Sequence, residues 1–502
     1  MIKWISNSFL LNYYNTSDIV IRKNYATWRT KYDMVFSSLV FLYLFFPINL
    51  MFYFISKNST YRNIILLGFS LFFYAWGEPF FIFALLLSGI INYSFALLVD
   101  KYRGTYKSKL FLYSAVIIDL SMIGIFKYYN FFVNNINFVL NTNIGLSSIG
   151  LPIGISFYTF QIISYVIDVY RQDVPAQKKF YKLLLYMSLY HQLIAGPIVR
   201  YVDVANEIDN RTITPSNFSY GINRFIIGLL KKVIIANTAG QVATAFLDSN
   251  LNELSILGAW LGIVMYTIQI YFDFSGYSDM AIGLGRMFGF TYKENFNYPY
   301  IAKSVQDFWR RWHISLSSFF RDYVYIPLGG NRKHFVRNVM IVWMLTGFWH
   351  GASWNFIMWG LYYGIFLLLE RKLLSKILDK IPSALSHVYL MLIVILGWVL
   401  FYFVDISKGI KFMGILFGYG NNPLYDIKFE VEFFNNIIFL IFAALLSTPL
   451  FKVIYSKLNE LIVINSYKPS KLTVVVFNAV ILIVSTILLV GQTYNPFLYF
   501  RF

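Results

Sequence analysis

Residues 295–360 read NFNYPYIAKSVQDFWRRWHISLSSFFRDYVYIPLGGNRKHFVRNVMIVWMLTGFWHGASWNFIMWG, and the fold is decided by how this stretch is read. It holds three of the five histidines, His313, His334 and His350, among Trp, Arg and Asp side chains. Apolar runs of membrane-spanning character flank it on both sides. Titratable groups inside a membrane domain cost on the order of a few kcal/mol each to insert, so a chain that keeps them there has a use for them. The chemistry is therefore expected within 295–360.

Composition supports a membrane domain independently. The 502 residues are 58% hydrophobic and 13% charged, with positive mean hydropathy, far from a soluble domain. Apolar segments near 35–55, 63–77, 79–99, 110–126, 151–169, 221–243, 257–281, 335–349, 352–370, 385–404, 434–451 and 472–492 approach the ~20 residues a helical crossing needs. The segment 183–199, interrupted by Gly196-Pro197, reads as a re-entrant hairpin, because broken backbone is tolerated at membrane depth inside protein. The formal charge of +18 sits in short loops such as Lys101 to Lys109, Arg171 to Lys182 and Arg371 to Lys380. That pattern places these loops in the cytoplasm rather than on nucleic acid. Acidic loops at 248–253 and 418–433 then lie outside, as do both termini. The basic Arg22, Lys23, Arg29 and Lys31 run against this rule. Residues 1–33 read as an extension outside the core, and the run 35–55 as an anchor rather than a cleaved signal.

There is no cysteine, so thiolate nucleophiles and Cys-ligated metal are excluded, and a covalent acyl intermediate would need Ser, Thr, Tyr or His. His350, in Phe348-Trp349-His350-Gly351-Ala352, can take a proton from a hydroxyl near neutral pH. Its bland alternative is a histidine bonded to helix backbone for packing. Gly351 and Ala352 leave room beside the ring for a substrate chain or a close helix contact. His313, in Arg310-Arg311-Trp312-His313, reads equally as part of an interfacial amphipathic helix with Asp307. Arg310, Arg311, Arg321, Arg332 and Lys333 form a basic cluster suited to phosphates or to ordinary positive-inside charge. Asp273, Tyr277 and Asp279 read as a polar network inside the bundle or part of an acceptor path. His191, His334 and His387 read as structural or solvent-facing. No metal site is expected.

QDFWRRWHISLSSFFRDYVYIPLGG followed by FWHGASWNFIMWG resembles the core of the membrane-bound O-acyltransferase (MBOAT) family, in its alginate O-acetyltransferase-like bacterial branch. MVFSSLVFLYLFFP, LPIGISFYTFQIISYVIDVYR, LIAGPIVRY, YFDFSGYSDMAIGLGRMFGF and NPFLYFRF extend the resemblance from Met34 to the end. It implies an all-α polytopic domain over 34–502, with about 11–12 crossings plus re-entrant helices around a tunnel, and its catalytic core near 295–360. It implies that His350 is catalytic, that His313 orients the acyl carbonyl, and that Asp307, Arg310, Arg311, Trp312 and Trp349 serve the substrate. The implied reaction moves an acetyl group from cytoplasmic acetyl-CoA, a substrate with no bound cofactor, to an extracytoplasmic polysaccharide. Alginate-, cellulose- or peptidoglycan-like acceptors and an SGNH-type extracytoplasmic partner fit that scheme, in a bacterial cytoplasmic membrane. D-alanyl transfer to teichoic acid is the rival within the class. A secondary transporter is the rival outside it, although no internal repeat is visible. The C-terminal Phe497-x-Tyr499-x-x-Phe502 is either an interfacial aromatic anchor or, by resemblance to acyl-relay motifs, the place where Tyr499 briefly carries the acyl group.

Overall fold

The computed structural model describes residues 34–194, 196–454, 471–491, 495 and 498. The extension 1–33 and Tyr499 lie outside the described residues. Every regular element among them is helical. In chain order these are α1 (Phe46–Phe54), α2 (Ser59–Gly77), α3 (Ile82–Lys101), α4 (Tyr106–Ile123), α5 (Tyr129–Leu140), α6 (Ile155–Arg171) and α7 (Phe180–Ser188). There follow α8 (Tyr190–Leu193), α9 (Tyr201–Asp209), α10 (Pro215–Leu230), α11 (Asn237–Leu247), α12 (Ile256–Met287), α13 (Val305–Arg311) and α14 (Ile314–Phe320). The last are α15 (Phe335–His350), α16 (Trp354–Leu369), α17 (Ser375–Leu378), α18 (Ser383–Tyr402), α19 (Ile406–Leu416), α20 (Ile427–Leu446) and α21 (Lys471–Gly491).

Seven helical stretches are individually long and apolar enough to cross a membrane: α3, Tyr106–Leu140, Pro215–Leu247, α12, α18, α20 and Leu472–Gly491. Other expected crossings fall on α2, α6, α15 and α16, which have 19, 17, 16 and 16 residues. The crossing expected at 110–126 continues to Leu140, through a π turn at Gly124–Tyr128. Its second half carries Lys127 and four asparagines, which hid it from an apolar-run reading. The stretch 183–199 breaks as expected. Helices α7 and α8 are followed by non-helical, buried Pro197 to Val199. Gly196 is required there, because a Cβ would stand 2.9 Å from the Gln192 Cα.

The 32-residue α12 is the spine. At ~1.5 Å per residue it is ~48 Å long, more than a hydrocarbon core needs, and most of its residues are buried. Lipid offers no hydrophobic drive for helix pairing, so close approach through small residues supplies the packing. Here α10 crosses α12 with Gly221 against Gly283 and Gly228 against Gly276. A Cβ on Gly228 would stand 2.5 Å from the Gly276 carbonyl oxygen. Between these two glycine contacts, Asp279 takes Arg224 at 2.7 Å, and it also takes Lys231, just past α10, at 2.6 Å. The polar network expected on α12 is therefore partly an interhelical fastening.

Two hydrophobic clusters divide the molecule. One gathers α1 to α4, α6 to α10 and the second half of α12 with Leu316, Phe319, Phe320 and Trp349. The other gathers α11, the first half of α12, α13, α16, α18 and α19 with Trp312. The stretch 295–360 lies where they meet.

Candidate active site

A helical hairpin brings the two histidines level. From His313 the chain runs through α14 and a π segment, Arg321–Tyr325, then turns at Gly329 and Gly330, whose φ values are +106° and +55°. Such backbone favours glycine, and a Cβ on Gly329 would also meet the Lys333 Cβ at 2.9 Å. The chain returns along the 16 residues of α15. At ~1.5 Å per residue the legs measure ~18 Å and ~24 Å, so His313 at the start of one faces the level of His350 at the end of the other.

Between the legs lies a cavity of about 860 Å³. One face of α15 lines it along its whole length, through Phe335, Val339, Val342, Thr346 and His350. On α14, Leu316, Ser317 and Phe320 do the same below His313. The mouth is formed by exposed residues that include Arg310, Arg321, Arg371 and Asp379. The inner end is formed by buried His313, His350 and Trp312. A second space of about 20 Å³ lies beyond them, and Trp312 and His350 line both. These two residues are the septum between a large chamber and a small pocket.

Helix α15 ends at His350 for identifiable reasons. Gly347 meets Gly360 of α16 so closely that a Cβ would stand 2.1 Å from the Phe356 carbonyl oxygen. A Cβ on Gly351 would strike the Phe356 ring at 2.2 Å. The space expected beside the histidine is thus filled by a helix contact, not left for substrate. The last carbonyls of a helix lack intrahelical donors, and here they are met from the first half of the chain. Lys127 Nζ donates to the Trp349 oxygen at 2.6 Å and to the His350 oxygen at 3.3 Å. The Tyr128 hydroxyl donates to the Phe348 oxygen at 2.8 Å. Both donors sit on the π turn, whose extra residue re-aims side chains, a common device at functional sites. Trp349, Trp359 and Phe401 pack around the imidazole with ring centroids 5.0, 5.1 and 5.2 Å away.

His313 takes a left-handed φ of +43°, a conformation that costs a non-glycine residue of order 1–3 kcal/mol and clusters at functional sites. Asn295 holds it there. Its Oδ1 accepts the Ser315 N–H at 3.1 Å and lies 3.2 Å from His313 Nδ1. An oxygen fixed as acceptor requires Nδ1 to be the donor, which puts Nε2 on the opposite side of the ring as acceptor in the neutral tautomer. Phe274 packs edge-on at 4.7 Å.

The expected substrate residues separate. Arg310 lines the mouth and Trp312 the septum, while Trp349 packs on both histidine rings. Arg311 turns away to pair with Asp307 at 2.9 Å, and neither lines the chamber. Arg332 and Lys333 are exposed outside it, whereas Arg371, stacked 3.9 Å over Phe335, joins the mouth. Asp322 fastens the adjacent cytoplasm-type face. Burial pushes its carboxyl up, but Arg321 and Arg200 outweigh that and hold it below the usual carboxylate range.

Sequence reasoning missed the far side of the septum. The small pocket is closed by Leu498, which is 4% exposed. Its backbone N–H donates to Asp273 Oδ2 at 2.9 Å, and Asp273 Oδ1 is paired with Lys232 at 2.6 Å. Asn495 is held by Asn237 at 3.2 Å. Leu498 is thus buried in the bundle, and the buried ion pair provides an acceptor for its backbone N–H. Asp273 stands out in the sequence, but its partner Lys232 does not, because the pair Lys231-Lys232 inside an apolar run gives no sign of what either lysine faces.

Among the described residues, fold and site together define a multi-pass, all-α membrane protein with a chamber that reaches two buried histidines. The pattern that defines MBOAT, the membrane-bound O-acyltransferase family, matches residues 176–382. The chain is 42% identical over 404 residues to the probable alginate O-acetylase AlgI of Azotobacter vinelandii, covering 79% of this chain and 80% of that one. It is 35% identical over 442 residues to the peptidoglycan O-acetyltransferase of Helicobacter pylori, covering 80% and 84%. Similarity to the teichoic acid D-alanyltransferase of Bacillus subtilis is 32% over 232 residues, covering 43% and 58%. The chain belongs to the membrane-bound O-acyltransferase family and is an O-acyltransferase.

Proposed function

We propose that this enzyme moves an acetyl group from cytoplasmic acetyl-CoA to hydroxyls of an extracytoplasmic cell-surface polysaccharide of the alginate, cellulose or peptidoglycan kind. The observation that carries this reading is the 860 Å³ chamber running from an arginine-lined mouth to His313 and His350. Arg310, Arg321 and Arg371 suit the phosphates of the donor, and the depth suits a long arm ending in a thioester. His350 takes the proton of the attacking hydroxyl. The hydroxyl oxygen bonds to the thioester carbonyl carbon, the C–S bond breaks, and the proton passes to the departing thiolate. Neutral His313, its Nδ1–H held by Asn295 Oδ1, presents Nε2 as an acceptor; donating to the carbonyl oxygen as negative charge develops there requires its imidazolium form, with both ring nitrogens protonated.

The hydroxyl that attacks first is assigned to Tyr499. Leu498, its chain neighbour, lines one pocket with His350, which favours delivery of the next residue to the same place. The resulting tyrosyl ester is then opened by the polymer hydroxyl, with an SGNH-type extracytoplasmic protein as partner, in a bacterial cytoplasmic membrane. D-alanyl transfer remains the alternative within the family.

The test is polymer acetylation in cells at matched membrane protein level. His350→Ala is expected to lower it by ~10²–10⁴-fold, and near-normal acetylation would end the assignment. Tyr499→Phe keeps the ring and removes the hydroxyl. Wild-type acetylation in that variant would reduce the tail to an anchor.

A further inference from the structure

The small pocket beyond the septum has a consequence for which acyl groups the enzyme accepts. In a thioester the sulfur arm and the acyl chain leave the carbonyl carbon in different directions. With the arm in the large chamber and the carbonyl at the histidines, the acyl chain points past Trp312 and His350. The space it meets is about 20 Å³, walled by Ile270, Phe274, Trp359, Trp398, Phe401 and Leu498. By this measure ~10–15 Å³ holds one water, so the pocket takes one methyl-sized group.

Its walls do not give easily. Trp359 and Trp398 are each 1% exposed and stack with centroids 6.3 Å apart, and Phe401 packs on both at 5.2 and 5.6 Å. Inserting methylenes into such packing costs ~1–3 kcal/mol. The one carboxylate on the wall, Asp273, has both oxygens committed, to Lys232 and to the Leu498 amide. An ammonium group on the acyl chain therefore finds neither room nor a counter-charge.

We propose that this pocket is the acyl-length gauge of the enzyme, admitting acetyl and excluding longer or amino-substituted acyl groups, with Leu498 and Ile270 as its size-determining residues. The proposal rests on the reading of His350 as the base and of an acyl-CoA as donor. It adds what that reading leaves open, the residues that set the length of the acyl group. Leu498 sets the floor and Ile270 a wall from α12, so the gauge is built by two positions far apart in sequence.

The experiment compares acetyl-, propionyl- and butyryl-CoA as competing donors to the purified enzyme, scored by the mass of the acyl group transferred. One methylene too many in a fitted apolar pocket is worth roughly 10- to 200-fold, so the wild type is expected to favour acetyl over propionyl by that much. Leu498→Ala and Ile270→Ala are each expected to raise the propionyl-to-acetyl ratio at least about 10-fold. Binding of non-reactive S-ethyl, S-propyl and S-butyl thioethers of CoA, measured by calorimetry, reads the same preference without turnover. It decides the matter where Leu498→Ala disturbs the tail and abolishes activity. An unchanged ratio and unchanged thioether preference in both variants overturns the gauge. If His350→Ala stays active, the underlying catalytic reading has failed instead. If His350→Ala is dead while the preferences do not move, only the gauge has failed.

Discussion

Lys127 lies 223 residues from His350 in sequence, yet the structure makes it the cap of the helix that ends at His350, the proposed base. Replacing it by Met keeps the apolar stem and removes the ammonium. Three bonds are lost, to the Trp349 oxygen at 2.6 Å, the His350 oxygen at 3.3 Å and Ser156 Oγ at 3.1 Å. Hydrogen bonds from a charged donor contribute ~1.5–3 kcal/mol each, and buried acceptors left without donors cost ~1–3 kcal/mol. The longest bond counts least, and Tyr128 still holds Phe348. A net loss of ~2–4 kcal/mol follows, with a further ~0.3–1 kcal/mol from removing a cation at a helix C-terminus. That strain falls on the backbone of His350 itself, and a 1 Å misplacement of a catalytic group costs on the order of 10²-fold. The donor chamber is lined by other residues and is untouched. Lys127→Met is therefore expected to lower kcat by 10- to 100-fold with KM for the donor nearly constant, and to lower the unfolding midpoint of the purified protein. Lys127→Arg, which still reaches the carbonyls, should recover most of both. Steady-state acyl transfer with thermal unfolding at matched detergent measures this. A Met variant with wild-type kcat and midpoint, or one altered only in KM, would refute the argument.

Three other outcomes follow from the site. His313→Asn is expected to retain more activity than His313→Ala, because an amide can still donate to the acyl carbonyl; equal loss in acyl-transfer assays would assign proton acceptance to His313 instead. Gly347→Ala places a methyl 2.1 Å from the Phe356 oxygen, forcing α15 and α16 apart, and should cost ~1–3 kcal/mol of stability and most of the activity, read by thermal unfolding and turnover. Arg371→Gln weakens the mouth without reaching the septum, so KM for the donor should rise while kcat holds; a fall in kcat alone would place Arg371 elsewhere in the cycle.

How far the sequence reveals this site depends on the range of the contact. His313 and His350 stand out because one short hairpin joins them, and titratable groups between apolar runs are conspicuous. The helical class is equally plain, since apolar runs of crossing length repeat along the chain. Lys127, Lys232 and Leu498 are different. Each acts through a backbone group or a carboxylate more than 40 residues away, and nothing local distinguishes them from a snorkelling lysine or an interfacial leucine. Arg311 shows the opposite failure. Its neighbour Arg310 is one residue away, but a helix turns successive side chains by about 100°. One arginine lines the chamber and the other meets Asp307 four positions back.

The septum also bears on why a membrane enzyme of this kind is not a carrier. A transporter needs its bound cargo to leave on the side opposite to where it came in, with the whole molecule passing the midpoint. Here the passage narrows from about 860 Å³ to about 20 Å³ across Trp312 and His350. Both are buried, and indole and imidazole alike are wedged among other aromatic rings. On the proposed reading a coenzyme donor cannot traverse that step, but a two-carbon group bonded to an oxygen can, because only the carbonyl and one methyl need occupy it. Breaking the bond to the arm at the septum is thus what permits passage. The cost of keeping two histidines and a Lys–Asp pair inside a membrane domain is explained by their being gathered at that one constriction. Widening it should therefore loosen acyl selectivity before it creates any leak of the coenzyme.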